Sequence, residues 1–165
     1  MTAEKKMKTT PEVLLVDDNP ADIDLTRAAL AGSKRHFHVS WVNDGTEAIS
    51  FLRHVGKYRE APVPDLVVLD LNLPRKTGRE VLSEVKSDPL LASIPVVIFS
   101  TSQANSDIRG SYQLGANCYL SKPGTLSDFM ASVQSMADFW LGYASLPDNL
   151  PHSSAHSQPH KEQHS

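Results

Sequence analysis

VLLVDD at residues 13–18, LVVLD at 66–70 and VVIFS at 96–100 share one design, an apolar run that ends on a polar side chain. A shorter segment, CYLSKP at 118–123, ends on Lys122 and Pro123. Continuous apolar runs of this length, separated by helical patterns and bounded by turn residues, read as strands of a parallel sheet buried on both faces. In such sheets ligands bind outside the carboxyl ends of the strands, where the strand order reverses. The reading therefore brings Asp17, Asp18, Asp70, Ser100 and Lys122 to one edge.

Working outward from those runs, strand and helix alternate five times. The first strand covers 13–17, and Asn19-Pro20 opens a helix through Leu30, with Pro20 tolerated in the first turn. Val39 and Trp41 mark the second strand, and Gly45 to His54 the second helix. A polar loop, GKYREAPVPD, leads to the third strand at Leu66. Arg79 to Lys86 is the third helix, Pro95 to Ser100 the fourth strand, Gln103 to Leu114 the fourth helix and Asn117 to Ser121 the fifth strand. Thr125, with Asp128 three residues later, has the form of a capping box at the start of the last helix. The pattern predicts an α/β fold, a doubly wound five-stranded parallel sheet.

Composition narrows the function. The chain has 165 residues, room for one core, and a net charge of −3 with no basic cluster to neutralise a row of phosphates, so nucleic acid is not an expected partner. No apolar stretch approaches the roughly 20 residues of a membrane span, and the start MTAEKKMKTT lacks a signal core, which predicts a cytoplasmic protein. The single Cys118 allows no internal disulfide.

These residues carry a resemblance. The acidic pair in LLVDDNPAD, Asp70 in VVLDLNLP, Ser100 and Thr101 in VVIFSTS, and Lys122 in CYLSKP resemble a response-regulator receiver domain, the phosphorylated partner of a sensor histidine kinase. The resemblance spans roughly residues 11 to 145 and implies the flavodoxin-like (βα)5 fold with strand order 2-1-3-4-5. It divides the chain into a flexible N-terminus at 1–10, a receiver domain at 11–146 and a disordered tail at 147–165. LDLNLPRKTGREVL, SYQLGANCYLSKP and FWLGYASLP further resemble the regulators that pair with cyanobacterial and bacterial phytochromes, which implies a phytochrome kinase as phosphodonor. Gly124 after the Lys-Pro step departs from some relatives.

The chemistry follows from the residue types. An aspartate can attack a phosphoryl group to give an acyl phosphate, and Asp70, alone at the end of the central strand, is the candidate nucleophile. Alone, it would read as a turn aspartate; beside Asp17, Asp18, Ser100 and Lys122 it does not. Helix capping ahead of Pro20 accounts for one of Asp17 and Asp18, not both. A phosphoryl dianion nears three carboxylates only if a divalent cation neutralises them, and the expected cofactor is Mg²⁺ or Mn²⁺. By resemblance, Asp18, Asp70 and the backbone carbonyl of Asn72 ligate the metal, and Asp17 acts through water. Lys122 is the expected phosphoryl-oxygen partner, and the resemblance implies that a cis bond to Pro123 aims it. The resemblance also implies that Ser100 and Thr101 stand at the switch position, with Tyr119 as the aromatic that turns inward.

Two other classes fit less well. A haloacid dehalogenase-type phosphatase uses a strand-end aspartate but carries D-x-D, where this chain has Asn72. A flavodoxin-like flavin carrier needs a Ser/Thr/Gly-rich phosphate loop after the first strand, where DDNPAD would repel phosphate.

The residues after Pro147 are too few and too polar for another core, so the output is expected to be a protein contact or onward phosphotransfer. His152, His156, His160 and His164 recur every four residues, but the intervening prolines oppose a metal-binding helix. In the last helix, Leu126, Phe129, Met130, Val133, Ala137 and Trp140 form the expected core face. Phe139 and Tyr143 fall on a second line, with Met136 between the two. That second stripe predicts a homodimer through the surface of the fourth helix, fifth strand and fifth helix.

Overall fold

The computed structural model describes residues 10–148. Five strands, β1 (Glu12–Val16), β2 (His38–Val42), β3 (Leu66–Leu69), β4 (Val96–Ser100) and β5 (Cys118–Ser121), form one parallel sheet in the order β2-β1-β3-β4-β5. Five α-helices connect and follow them: α1 (Pro20–Ala31), α2 (Gly45–Leu52), α3 (Gly78–Ser87), α4 (Asn105–Gln113) and α5 (Leu126–Asp138). The expected fold and strand order are both present, with boundaries shifted by one or two residues.

Alternation along each strand builds two cores. Leu14, Val16, Val67, Leu69, Val96 and Ile98 face α2 and α3. Val13, Leu15, Leu66, Val68, Val97 and Phe99 face α1 and α5. Because β1, β3 and β4 are covered on both sides, they read as unbroken apolar runs.

Short-range chemistry sets the helix starts. Asn19 accepts hydrogen bonds from the N–H groups of Ala21 and Asp22 ahead of α1, and Asp44 accepts from Glu47 N–H ahead of α2. Thr77 and Glu80 make the reciprocal capping box of α3, which the sequence reading did not identify. At α5 the Thr125 hydroxyl accepts from Asp128 N–H, one half of the box expected there.

Four expectations need correction. Met136 is buried with Phe129, Val133 and Ala137, because positions 129, 133, 136 and 137 share one helical stripe; it belongs to the core and not to a surface pair. Leu126 is 61% exposed, standing a turn ahead of Phe129, the first α5 side chain buried in the core. The loop before β3 contains a 3-10 turn at Gly56–Tyr58, and Tyr58, Ala61 and Val63 pack against the α2–α3 core. No peptide bond among the described residues is cis, so Lys122–Pro123 is trans. Past Asp138 the chain widens into a π-helical turn, Phe139–Tyr143, that leaves Phe139 and Tyr143 exposed as the second stripe required. The four tail histidines lie outside the described residues, as does most of the proposed N-terminal segment.

Candidate functional site: an acidic pocket around one lysine

β1 and β3 are neighbours, with Val16 paired to Leu69, so the residues that follow each strand meet at the carboxyl edge of the sheet. The Asp70 amide bonds back to Val16 O at 2.9 Å and the Asp17 amide to Val42 O at 3.2 Å, which holds both aspartates at that edge. Asp17, Asp18 and Asp70 offer carboxylate oxygens within 4.8 Å of one another. Asp17 and Asp70 are 9% and 8% exposed, while Asp18 is open to solvent.

Lys122, beyond the end of β5, reaches across this edge. Its Nζ donates to Asp17 Oδ2 at 2.7 Å, Asp22 Oδ2 at 2.8 Å and Asp70 Oδ2 at 3.0 Å. Its backbone is placed by an N–H bond to Ser100 O at 2.7 Å. Burial opposes the lysine's charge, yet the hydrogen bonds it donates to Asp17 and Asp22 and the nearby charge of Asp70 outweigh it and hold Lys122 above the ordinary lysine value. The lysine therefore stays protonated. Burial also raises the Asp17 carboxyl, against the lowering pull of Lys122 and of the Asn19 N–H.

Asp22 was not identified from the sequence. It sits in the first turn of α1, four residues after Asp18, where helical side chains lean back toward the N-terminus and so toward the pocket. With it, three carboxylates hold one ammonium, and Asp18 lies close to two of them. That excess of hard oxygen donors, three of them clustered, fits a divalent cation of the Mg²⁺ or Mn²⁺ class.

The backbone around Asp70 is tightly packed. Gly78 N–H donates to Leu71 O, and a Cβ at Gly78 would lie 2.1 Å from the Asp70 carbonyl oxygen, so only glycine lets α3 start there. The Asn72 N–H donates to Asp70 Oδ1 at 3.3 Å. Ser100 is fully buried at the end of β4, and its Oγ accepts from Ser102 N–H at 3.3 Å. Thr101 is exposed beside it. Tyr119 is half-buried against the α2–α3 core and donates its hydroxyl to Ser102 O at 2.8 Å. His36 and His38 are exposed and away from the pocket, with His38 paired to Glu12.

A parallel 2-1-3-4-5 sheet with this pocket at its carboxyl edge defines a class, and the sequence agrees: residues 13–134 match the response regulator receiver domain, and the chain belongs to that family. Among its relatives is Response regulator Rcp1 of Synechocystis sp., 44% identical over 135 residues that cover 82% of this chain and 92% of Rcp1. The phosphorylated cyanobacterial phytochrome response regulator RcpA superposes with a TM-score of 0.82 at 50% identity, covering 84% of this chain and 99% of RcpA. The Mn²⁺-bound form of Rcp1 gives a TM-score of 0.80 at 43% identity over 83% of this chain and 99% of that one. The protein is thus a two-component signalling protein similar to the phytochrome response regulators. Neither a phosphatase nor a flavin carrier is supported. Among the described residues no helix is long and apolar enough to cross a membrane.

Proposed function

We propose that Asp70 accepts a phosphoryl group from a sensor histidine kinase, and that a phytochrome is that kinase. The observation that carries the reading is the meeting of Asp17, Asp18 and Asp70 with the buried ammonium of Lys122 at one strand edge. As the donor's P–N bond breaks, a P–O bond to an Asp70 carboxylate oxygen forms and leaves an acyl phosphate. Lys122 holds Asp70 in place beforehand and is the cation next to the oxygens that gain charge during transfer. Asp18, Asp70 and the Asn72 carbonyl would hold Mg²⁺ or Mn²⁺, with Asp17 acting through water; when bound, the ion neutralises charge on the incoming group. Ser100 and Tyr119 are the residues whose positions report phosphorylation to the surface of α4, β5 and α5. The likeness to Rcp1 and RcpA supports the choice of kinase.

Phe139 and Tyr143, at 54% and 79% exposure, support a homodimer through the α4, β5 and α5 surface, with Met136 now removed from the contact set. Isolated surface aromatics are common, but this pair sits one helical turn apart.

The test is labelling from the kinase or from acetyl phosphate. Asp70→Asn abolishes acid-stable, hydroxylamine-labile labelling while the fold survives, labelling needs Mg²⁺ or Mn²⁺, and Asp18→Ala weakens metal binding. Full labelling of Asp70→Asn places the nucleophile elsewhere, and full labelling in excess chelator removes the metal from the mechanism. Sedimentation of Phe139→Asp with Tyr143→Lys tests the dimer, which is excluded if the parent runs as a monomer.

A further inference from the structure

The carboxylates of the pocket divide by which cation they can serve. The Lys122 side chain is 4% exposed, and its three ammonium protons go to Asp17, Asp22 and Asp70 at 2.7, 2.8 and 3.0 Å. Asp18 therefore receives none of them. It clusters instead with Asp17 and Asp70, and among the described residues Asp22 is not part of that cluster. Asp18 thus faces only the cation site, Asp22 faces only the lysine, and Asp17 and Asp70 are shared between the two.

Sharing creates a conflict. The Oδ1 atoms of Asp17 and Asp70 already accept from the N–H groups of Asn19 at 2.9 Å and Asn72 at 3.3 Å, and their Oδ2 atoms accept from Lys122. A divalent cation beside those carboxylates is repelled by the ammonium unless Nζ draws back. An ammonium this buried cannot be left unpaired without a large desolvation cost. Asp22 is placed to prevent that. Its N–H is held by the Asn19 side chain at the start of α1, in the same turn that fixes Asp17, so its carboxylate is anchored independently of the cation site.

We propose that Asp22 is a positioning residue that keeps the Lys122 ammonium paired when Asp17 and Asp70 turn to the divalent cation and the phosphoryl group. This rests on the acceptor and metal roles given above, and it adds the residue that lets lysine and cation occupy one pocket. Without Asp22, Lys122 stays on Asp17 and Asp70 and competes with the ion for them.

The experiment measures the Mn²⁺ affinity of the full, unphosphorylated chain by electron paramagnetic resonance, which counts free Mn²⁺. Asp22→Asn, which keeps the shape and removes the charge, weakens Mn²⁺ binding about tenfold, the worth of one charge-assisted hydrogen bond. Asp24→Asn removes the same charge from an exposed position on the same helix and changes the affinity less than about twofold, because water and salt screen it. In a Lys122→Met background, Asp22→Asn loses most of its effect, since no ammonium remains to be held. Lys122→Gln supplies the same comparison if Lys122→Met does not fold. A loss for Asp22→Asn no larger than that for Asp24→Asn, or an equal loss with and without the lysine, overturns the proposal and leaves the metal site standing. A parent that binds no Mn²⁺ overturns the metal reading and this inference with it.

Discussion

α3 and α4 follow consecutive strands and flank the same pocket edge, yet they are built on opposite principles. α3 opens with a complete capping box and buries Val81, Leu82 and Val85 almost fully. α4 opens on an alanine without a side-chain cap and contributes no residue to either apolar core. The helix that starts against Asp70 is thus fixed by packing, and the helix that follows Ser100 is fixed by hydrogen bonds and one ion pair. Apolar packing is short-ranged and tolerates little displacement, whereas exposed polar contacts can be exchanged for water at small cost. The acceptor side of the pocket is rigid and the reporting side can rearrange.

The strongest attack on this contrast is Leu82→Ala in α3, which leaves a cavity against the sheet and costs about 2–5 kcal/mol in urea unfolding. A cost under about 1 kcal/mol means α3 is no better packed than α4. Next in size, Thr77→Ala removes the accepting hydroxyl of the capping box and costs about 0.5–2 kcal/mol, whereas Ala104→Ser at the uncapped start of α4 stabilises by a similar or smaller amount. If neither substitution changes the midpoint, local capping does not distinguish the two helices.

Gly110→Ala is expected to stabilise α4 by up to about 1 kcal/mol, reduced by the few tenths of an ångström that Arg79 must yield. A loss of stability there shows that Arg79 has no freedom to move and that α4 is more firmly held than its burial suggests.

The smallest effect is in acid. The Thr77 N–H holds the Glu80 carboxyl below its ordinary value of 4.5, and the Ser102 hydroxyl, with Arg79, holds Asp107 below its ordinary 3.8. Both groups are lowered in the folded state, so the unfolded chain binds their protons first. Their contributions are complete above the ordinary values and are lost as pH falls through the folded ones. Melting temperatures of Glu80→Gln and Asp107→Asn should therefore lie below the parent's at neutral pH, and the gap should close as the pH falls below the ordinary 4.5 and 3.8 of the two groups. A gap that persists in acid means that the carboxylate charge is not what these positions contribute.

How far the sequence alone reaches is visible in the same residues. Apolar runs that end on Asp17, Asp70 and Ser100 fix the parallel sheet and the edge where chemistry occurs, because strand burial and strand-end placement are local properties of a few consecutive side chains. The exposed pair Phe139 and Tyr143 was legible from helical spacing for the same reason. Asp22 was not, since nothing in its neighbourhood signals that Lys122, a hundred residues later in the chain, reaches it at 2.8 Å. Met136 was misplaced because spacing ranks the residues of a helix by angle, and only the packed sheet decides which arc faces inward. Ser102 is an ordinary loop serine in sequence; the positions of α3, α4 and β5 give each of its polar groups a partner. Periodicity and residue type determined the elements and the acceptor edge. The convergence of distant polar groups, and which helix can move, were decided only when the chain packed, because those contacts depend on distances that no local pattern encodes.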